Sequence, residues 1–397
     1  MKFVFASDSF KGTLSSRRTA ALLTEAAKRH FPSCECISVP MADGGEGTVD
    51  AIVAATGGSL RTVRASGPLG DAVDASFGVL CDGRAVIEMS AASGLCLLRP
   101  EQRNPLLTST FGTGELIRAA LDEGVRDVTL ALGGSATNDA GMGCMRALGV
   151  RFLDARGEEL AGVGADLGRV CAIDASSIDP RVAQTHFTLM CDVDNPLVGP
   201  TGASQIYATQ KGANPEQVNE LEVGMCSFAA VLEREFGRSF DVSGAGAAGG
   251  LAAGCLAFLN ARIQSGVERV LELANFDELL LDADLCVTGE GQLDAQTSHG
   301  KVVAGVAAAC ERAGVPCVAV VGGWKRADTT SAAEASGADR SCNLPGLVAV
   351  VPTVTGPMPL QDALDCADEL YALAADRLFS LLATGASLRG RSQGETR

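Results

Sequence analysis

Aromatic residues are scarce in this chain: one tryptophan, two tyrosines and 14 phenylalanines among 397 residues. Platforms that stack bases or sugars need exposed rings, so that mode of ligand binding is excluded. Positive charge is also short. Lys and Arg total 32 against 48 Asp and Glu, a net charge of −16 with no basic cluster, which opposes a surface that neutralises nucleic-acid phosphates. There are only three histidines, His30, His186 and His299, and none stands in HExxH or any other paired spacing, so a zinc hydrolase is not expected. The 14 cysteines include no CxxC pair; most lie in apolar runs and read as free buried thiols of a reducing cytosol. No apolar run approaches the length that spans a bilayer, and the N-terminus is too weakly basic and apolar for a signal peptide. The expectation is a cytoplasmic protein with no nucleic-acid and no membrane partner.

What the chain does have is apolar content and glycine. Hydrophobic residues make up 47%, ample for full cores at this length, and the length suits two domains. Glycine numbers 47 without a low-complexity block, so the glycines mark tight loops and close packing. Phe3–Ala6 reads as a buried strand, followed by the loop SDSFKGT and a helix from Leu14 to His30; Cys36–Val39 repeats the βα plan with the loop MADGGEG. From Leu60 to Met89 short β-like runs alternate with turns, as antiparallel strands do. Helix, strand and loop then alternate through Leu148, a strand covers Phe187–Cys191, a helix covers Glu216–Glu235, and Ala247–Leu259 reads as helical. After Asn275 the βα rhythm returns, ending in a helix over Leu360–Leu382. The economical reading is a two-domain α/β fold: a Rossmann-like parallel-sheet domain split between the chain ends (1–62 and 280–384), an inserted α/β domain (63–279), and a disordered tail at 385–397. Two consecutive halves divided near Gly244 are the alternative.

Five loops share one plan, an apolar strand followed by acids, glycines and small polar residues: 7–12, 43–48, 133–139, 192–202 and 288–301. Ligands of α/β sheets bind at the carboxyl ends of strands, where loops and helix N-termini converge. Each loop alone reads as a capped or solvated turn; five together point to a site. They offer Asp8 and Lys11; Asp43 and Glu46; Ser135, Thr137, Asn138 and Asp139; Asp192, Asp194 and Asn195, with Lys211 downstream; and Glu290, Asp294, Thr297 and Lys301. A small anionic ligand needs local positive charge in so acidic a chain, which singles out Lys11, Lys211 and Lys301. Gly244, Gly246 and Gly249 satisfy GxGxxG, yet no convincing strand precedes them, and small residues at helix-packing spacing explain them as well. Neither a Walker A pattern nor the protein-kinase signatures occur.

Seven ordered blocks, DSFKGTLS, ADGGEGT, GGSATND, CDVDNPLVGP, QKGA, GAGAAGGL and TGEGQLDAQTSHGK, together resemble the bacterial glycerate kinase family. They span nearly the whole chain. The resemblance implies ATP-dependent phosphorylation of D-glycerate with Mg²⁺ in glyoxylate and sugar-acid metabolism, an active site in the cleft between two α/β domains, and the branch that forms 2-phosphoglycerate. Two departures are small: Ala140 stands where the family continues with glycine, and Ala208-Thr209 precede QKGA where Gly-Pro is expected. On this reading Lys11 and Lys301 neutralise phosphate charge, and Glu290 and Asp294 hold Mg²⁺. Asp192, fixed by the strand before it, lies nearest the reacting hydroxyl as base, as the acceptor that aims it, or as a Mg²⁺ ligand. Asp8, Asp43, Glu46, Ser135, Thr137, Asn138, Asp139, Asn195, Lys211, Gly246 and Thr297 bind substrate or nucleotide. A homo-oligomer is compatible with the sequence. The rival readings are a nicotinamide-dependent hydroxy-acid dehydrogenase using GAGAAGG, and a non-catalytic small-anion binding protein.

Overall fold

The computed structural model describes residues 1–10, 12–41, 47–293, 302–324 and 344–394. Its strands, in chain order, are β1 (Lys2–Ser7), β2 (Glu35–Ser38), β3 (Ser59–Ser66), β4 (Ala72–Val79), β5 (Ala85–Glu88), β6 (Asp127–Ala131), β7 (Arg151–Leu153), β8 (Ala172–Asp174), β9 (His186–Met190), β10 (Arg262–Gln264), β11 (Leu285–Leu293), β12 (Cys317–Trp324) and β13 (Leu347–Pro352). The chain divides into two compact units, 1–43 with 267–397, and 44–266. These divisions differ from those read off the sequence at 62/63 and 279/280. Residues 59–62 pair with β4 in the second sheet, and two short helices, Gly266–Leu273 and Phe276–Leu280, precede β11.

The first unit is a five-stranded sheet in the order β13-β12-β11-β1-β2, with every pair parallel. Counted within the unit this is the order 2-1-3-4-5, a doubly wound sheet of flavodoxin type rather than the 3-2-1-4-5-6 order of the Rossmann type. Helix Ser16–His30 starts at Ser15, whose hydroxyl accepts from Arg18 N at 3.2 Å, and ends on Lys28, Arg29 and His30, which suit the negative end of its dipole. Its buried Leu22, Leu23, Ala26 and Ala27 meet Tyr371, Ala374, Ala375, Leu378 and Phe379 of helix Ala367–Gly394 in one cluster with Phe3, Phe5 and Val287. The spacing of both sets is that of one helix face. Helix Val302–Ala313 covers the opposite face, where Val303 packs with Ala319 and Val321.

Two expectations fail here. Residues 288–293, read as a polar loop, continue β11 as strand: Gly289 lies beside Ser7, Glu290 beside Val321, and Leu293 beside Trp324. Polar, glycine-rich composition hides a strand whose backbone partners come from both sides of a sheet. The segment after Thr384, read as disordered, remains helical to Gly394. Propagating a helix from turns already docked on the core needs far less than nucleating one, so Gly and Ser content does not stop it. Residues 395–397 lie outside the described residues.

The second unit carries a six-stranded sheet, β10-β9-β6-β5-β4-β3. β10, β9, β6 and β5 are parallel, and β4 and β3 form the expected antiparallel edge. Helix Pro215–Phe236 shows its limits in sequence: Asn214 and Gln217 form a reciprocal capping box, Pro215 opens the first turn, and Gly237 closes the last at φ 69°. Its Leu221, Met225, Phe228 and Leu232 join one large core with Leu116, Phe152, Phe187 and Leu251. Among the described residues no helix is long and apolar enough to cross a membrane.

Candidate active site

In the first unit the strand order reverses between β1 and β11, so the chain leaves these neighbours in opposite directions and opens a crevice beyond their carboxyl ends. Asp8 is the first residue past β1, and its amide donates to Gly289 O at 2.9 Å. Glu290 is the next residue on β11, 7% exposed. The register therefore sets two carboxylates on neighbouring strands, Asp8 just past the end of β1 and Glu290 within β11. Thr288 Oγ1 donates to Ala6 O at 2.8 Å and ties the same pair together. Gly289 is required there, because a Cβ would meet Val320 O at 2.1 Å. Carboxylate oxygens are hard donors of the type Mg²⁺ takes, so this set fits that ion by its chemistry. Lys11, Asp43, Glu46, Asp294, Thr297 and Lys301 lie outside the described residues.

In the second unit the GGSATND loop follows β6 and is sunk into the protein. Asp139 is fully buried and accepts four hydrogen bonds: from Thr110 N at 2.7 Å, Thr110 Oγ1 at 2.8 Å, Gly141 N at 3.1 Å and Gly143 N at 3.2 Å. Burial pushes its pKa up, and these donors pull it back. Asp139 thus anchors the loop to the helix starts at 111 and 142. Lys211 is 1% exposed, and its Nζ donates to Thr137 O at 2.6 Å. Burial brings its pKa down to about 7, against the opposing attraction of Asp139. Asn138 Nδ2 donates to Ser204 Oγ at 3.1 Å. Thr137 Oγ1 and Asn138 Oδ1 are buried and, among the described residues, have no hydrogen-bond partner; such atoms are costly unless something satisfies them. Ser135 is half-buried and bridges Gly94. Ala140 holds φ 52°, a conformation that costs an alanine about 1 kcal/mol or more.

Asp192 lies just beyond β9, exposed, with Oδ1 accepting from Gly266 N at 2.8 Å, the start of helix Gly266–Leu273. Asp192 thus sits at a helix start, and the residue remains exposed. Asp194 is exposed and its carbonyl accepts from Ser243 Oγ at 3.4 Å. Asn195 donates Nδ2 to Thr201 O at 2.8 Å and accepts from Tyr207 OH at 2.6 Å.

The glycines of GAGAAGG serve close backbone approach. Gly246 donates to Asn195 O at 3.0 Å, and a Cβ on it would meet Pro196 O at 2.2 Å; one on Gly249 would meet Thr137 O at 2.0 Å. No strand leads into this segment. Small-residue packing is what the segment displays, and the dinucleotide reading has no geometric support. It does join two candidate loops, since GAGAAGG touches both 195–196 and 137–140. Sequence reading missed Thr110, Ser204 and Tyr207, which hold Asp139, Asn138 and Asn195. Nothing in local spacing signals them, because Thr110 and Ser204 are 29 and 66 residues from their partners.

These observations define an α/β protein with oxygen-rich, glycine-lined loops at the carboxyl ends of parallel strands. The model of the glycerate kinase family matches residues 3–383. A glycerate kinase from Halalkalibacterium halodurans is 48% identical over 80% of this chain and 84% of its own length, and the glycerate 2-kinase of Escherichia coli is 44% identical over 81% and 85%. A crystal structure from Salmonella typhimurium LT2, named as a candidate glycerate kinase 2, is 40% identical and superposes with a TM-score of 0.85, covering 98% of this chain and 99% of that one. The chain belongs to the glycerate kinase family and is a kinase.

Proposed function

We propose that the protein transfers the terminal phosphoryl group of ATP to the 2-hydroxyl of D-glycerate, with Mg²⁺, giving 2-phosphoglycerate and ADP. The observation that carries the position of attack is the 44% identity, across 81% of the chain, to a protein named glycerate 2-kinase. Thirteen described cysteines are all free, which fits a cytoplasmic enzyme.

Phosphoryl transfer asks a protein for positioning and charge stabilisation more than for covalent chemistry. Asp192 suits the role of aiming or accepting the hydroxyl proton: its backbone follows a buried strand, one oxygen is held by Gly266 N, and the carboxylate remains exposed. Thr137 and Asn138 bring buried oxygens, without a hydrogen-bond partner among the described residues, to the loop that Lys211 and Asp139 hold in place. Lys11 and Lys301 supply positive charge for the phosphates. Glu290 and Asp294 would hold Mg²⁺, with Asp8 on the adjoining strand end. Held there, Mg²⁺ would supply positive charge that offsets the charge of the phosphates.

The test is incubation with D-glycerate, ATP and Mg²⁺, followed by phosphorus NMR of the product. A 2-phosphoglycerate signal with stoichiometric ADP is expected. A predominant 3-phosphoglycerate signal would show that the position of attack is wrong, and no ADP at all would return the protein to passive anion binding.

A further inference from the structure

Three cysteines outside the phosphoryl-transfer chemistry converge beneath the first unit's sheet. Cys286 on β11, Cys317 on β12 and Cys310 on helix Val302–Ala313 place their sulfurs within 4.8 Å of one another, and all three residues are fully buried. The fold makes the triangle. Cys286 and Cys317 are register partners in a parallel pair, so their side chains leave the same face of the sheet side by side. Cys317 shares that face with Ala319 and Val321, the residues that pack against Val303 of the helix. Cys310 follows Val303 by two helical turns and so comes down on the same side.

Buried thiols often serve only as small apolar filler. The donor set here is more specific than that. Three sulfurs around one ion at about 2.3 Å would lie about 4 Å apart, so the observed triangle needs less than an ångström of contraction. No His, Asp, Glu or further Cys among the described residues joins the group. A set of soft sulfurs without a hard oxygen rejects Mg²⁺ and Ca²⁺. Zn²⁺ prefers four ligands and a closed tetrahedron. A monovalent d¹⁰ ion is satisfied by three, and with one sulfur ligating as thiolate and two as thiols it leaves the dry pocket neutral.

We propose that Cys286, Cys310 and Cys317 form a three-sulfur site for a thiophilic monovalent cation of the Cu(I) class, which clamps β11, β12 and helix Val302–Ala313 together. Each sulfur that ligates as thiolate releases its proton to solvent.

The test uses the full-length protein, alkylated natively with iodoacetamide to block exposed thiols, then titrated anaerobically with Cu(I) buffered by bicinchoninate. One Cu(I) per chain is expected, with three sulfur neighbours in the X-ray absorption spectrum and a raised melting temperature. Cys310→Ala and, separately, Cys317→Ala should weaken binding at least tenfold, while a Cys34→Ala/Cys36→Ala variant binds as the parent does. If the first two variants fail to fold, the absorption spectrum of the parent protein decides alone. Two-coordinate copper, a four-coordinate site filled in preference by zinc, unchanged binding in folded Cys310→Ala, or binding lost in the Cys34/Cys36 variant would each overturn the assignment.

Discussion

Lys211 and Asp192 are both polar residues of candidate loops, and burial gives them opposite characters. Lys211 is enclosed, with its pKa drawn down to about 7 from 10.5. Between those values the unfolded chain holds a proton that the folded chain does not, so this group makes stability rise with pH from about 7 to about 10. Replacing it with Met removes the buried cation but strands the carbonyl of Thr137. The two effects offset to within about 3 kcal/mol at neutral pH. Denaturant unfolding of both proteins from pH 6 to 10 should show the parent gaining up to about 1.4 kcal/mol per pH unit relative to Lys211→Met; parallel profiles would mean that Lys211 is not depressed. Asp192 is exposed, so Asp192→Asn should leave the melting temperature within about 2 °C, since the amide oxygen can still accept from Gly266 N. Its kcat should fall at least ~100-fold with ATP affinity and Mg²⁺ dependence intact, the scale of a lost general base. A shifted Mg²⁺ dependence would instead make it a metal ligand, and near-normal activity would leave it as a helix cap.

At the scale of elements, β11 shows where local reading succeeds and stops. Leu285–Val287 is legible as strand from its apolar run, but Thr288–Leu293 is strand only because β12 supplies partners along it, with β1 on the other side as far as Gly289. That extension changes what Glu290 is. In a loop it would be one acid among several; in the sheet it is a rigid, nearly buried carboxylate at the strand-order reversal. Glu290→Gln should therefore raise the Mg²⁺ needed for half-maximal rate roughly tenfold, at little cost in secondary structure by circular dichroism. An unchanged Mg²⁺ titration would remove Glu290 from the metal site. The capped helix Pro215–Phe236 lies at the other extreme: Asn214, Pro215, Gln217 and Gly237 are local signals, and the observed ends differ by one residue from those read in sequence.

Over the whole molecule, a net charge of −16 repels ATP and glycerate alike. Turnover then depends on a few well-placed cations. Lys11→Met and Lys301→Met should each lower kcat/KM at least ~10-fold without altering the melting temperature; near-normal kinetics in both would return these lysines to the solvated surface. The sequence by itself determined the family, the α/β class and the positions of most helices and strands, because these rest on short ordered blocks, periodicity and capping, and it nominated five candidate loops. Only the tertiary structure decided the 2-1-3-4-5 strand order, the packing role of GAGAAGG, and the partners Thr110, Ser204 and Tyr207. It alone brings Cys286, Cys310 and Cys317 together. The physical reason is the same in each case: register and burial arise from contacts between residues far apart in the chain, and no local pattern encodes them.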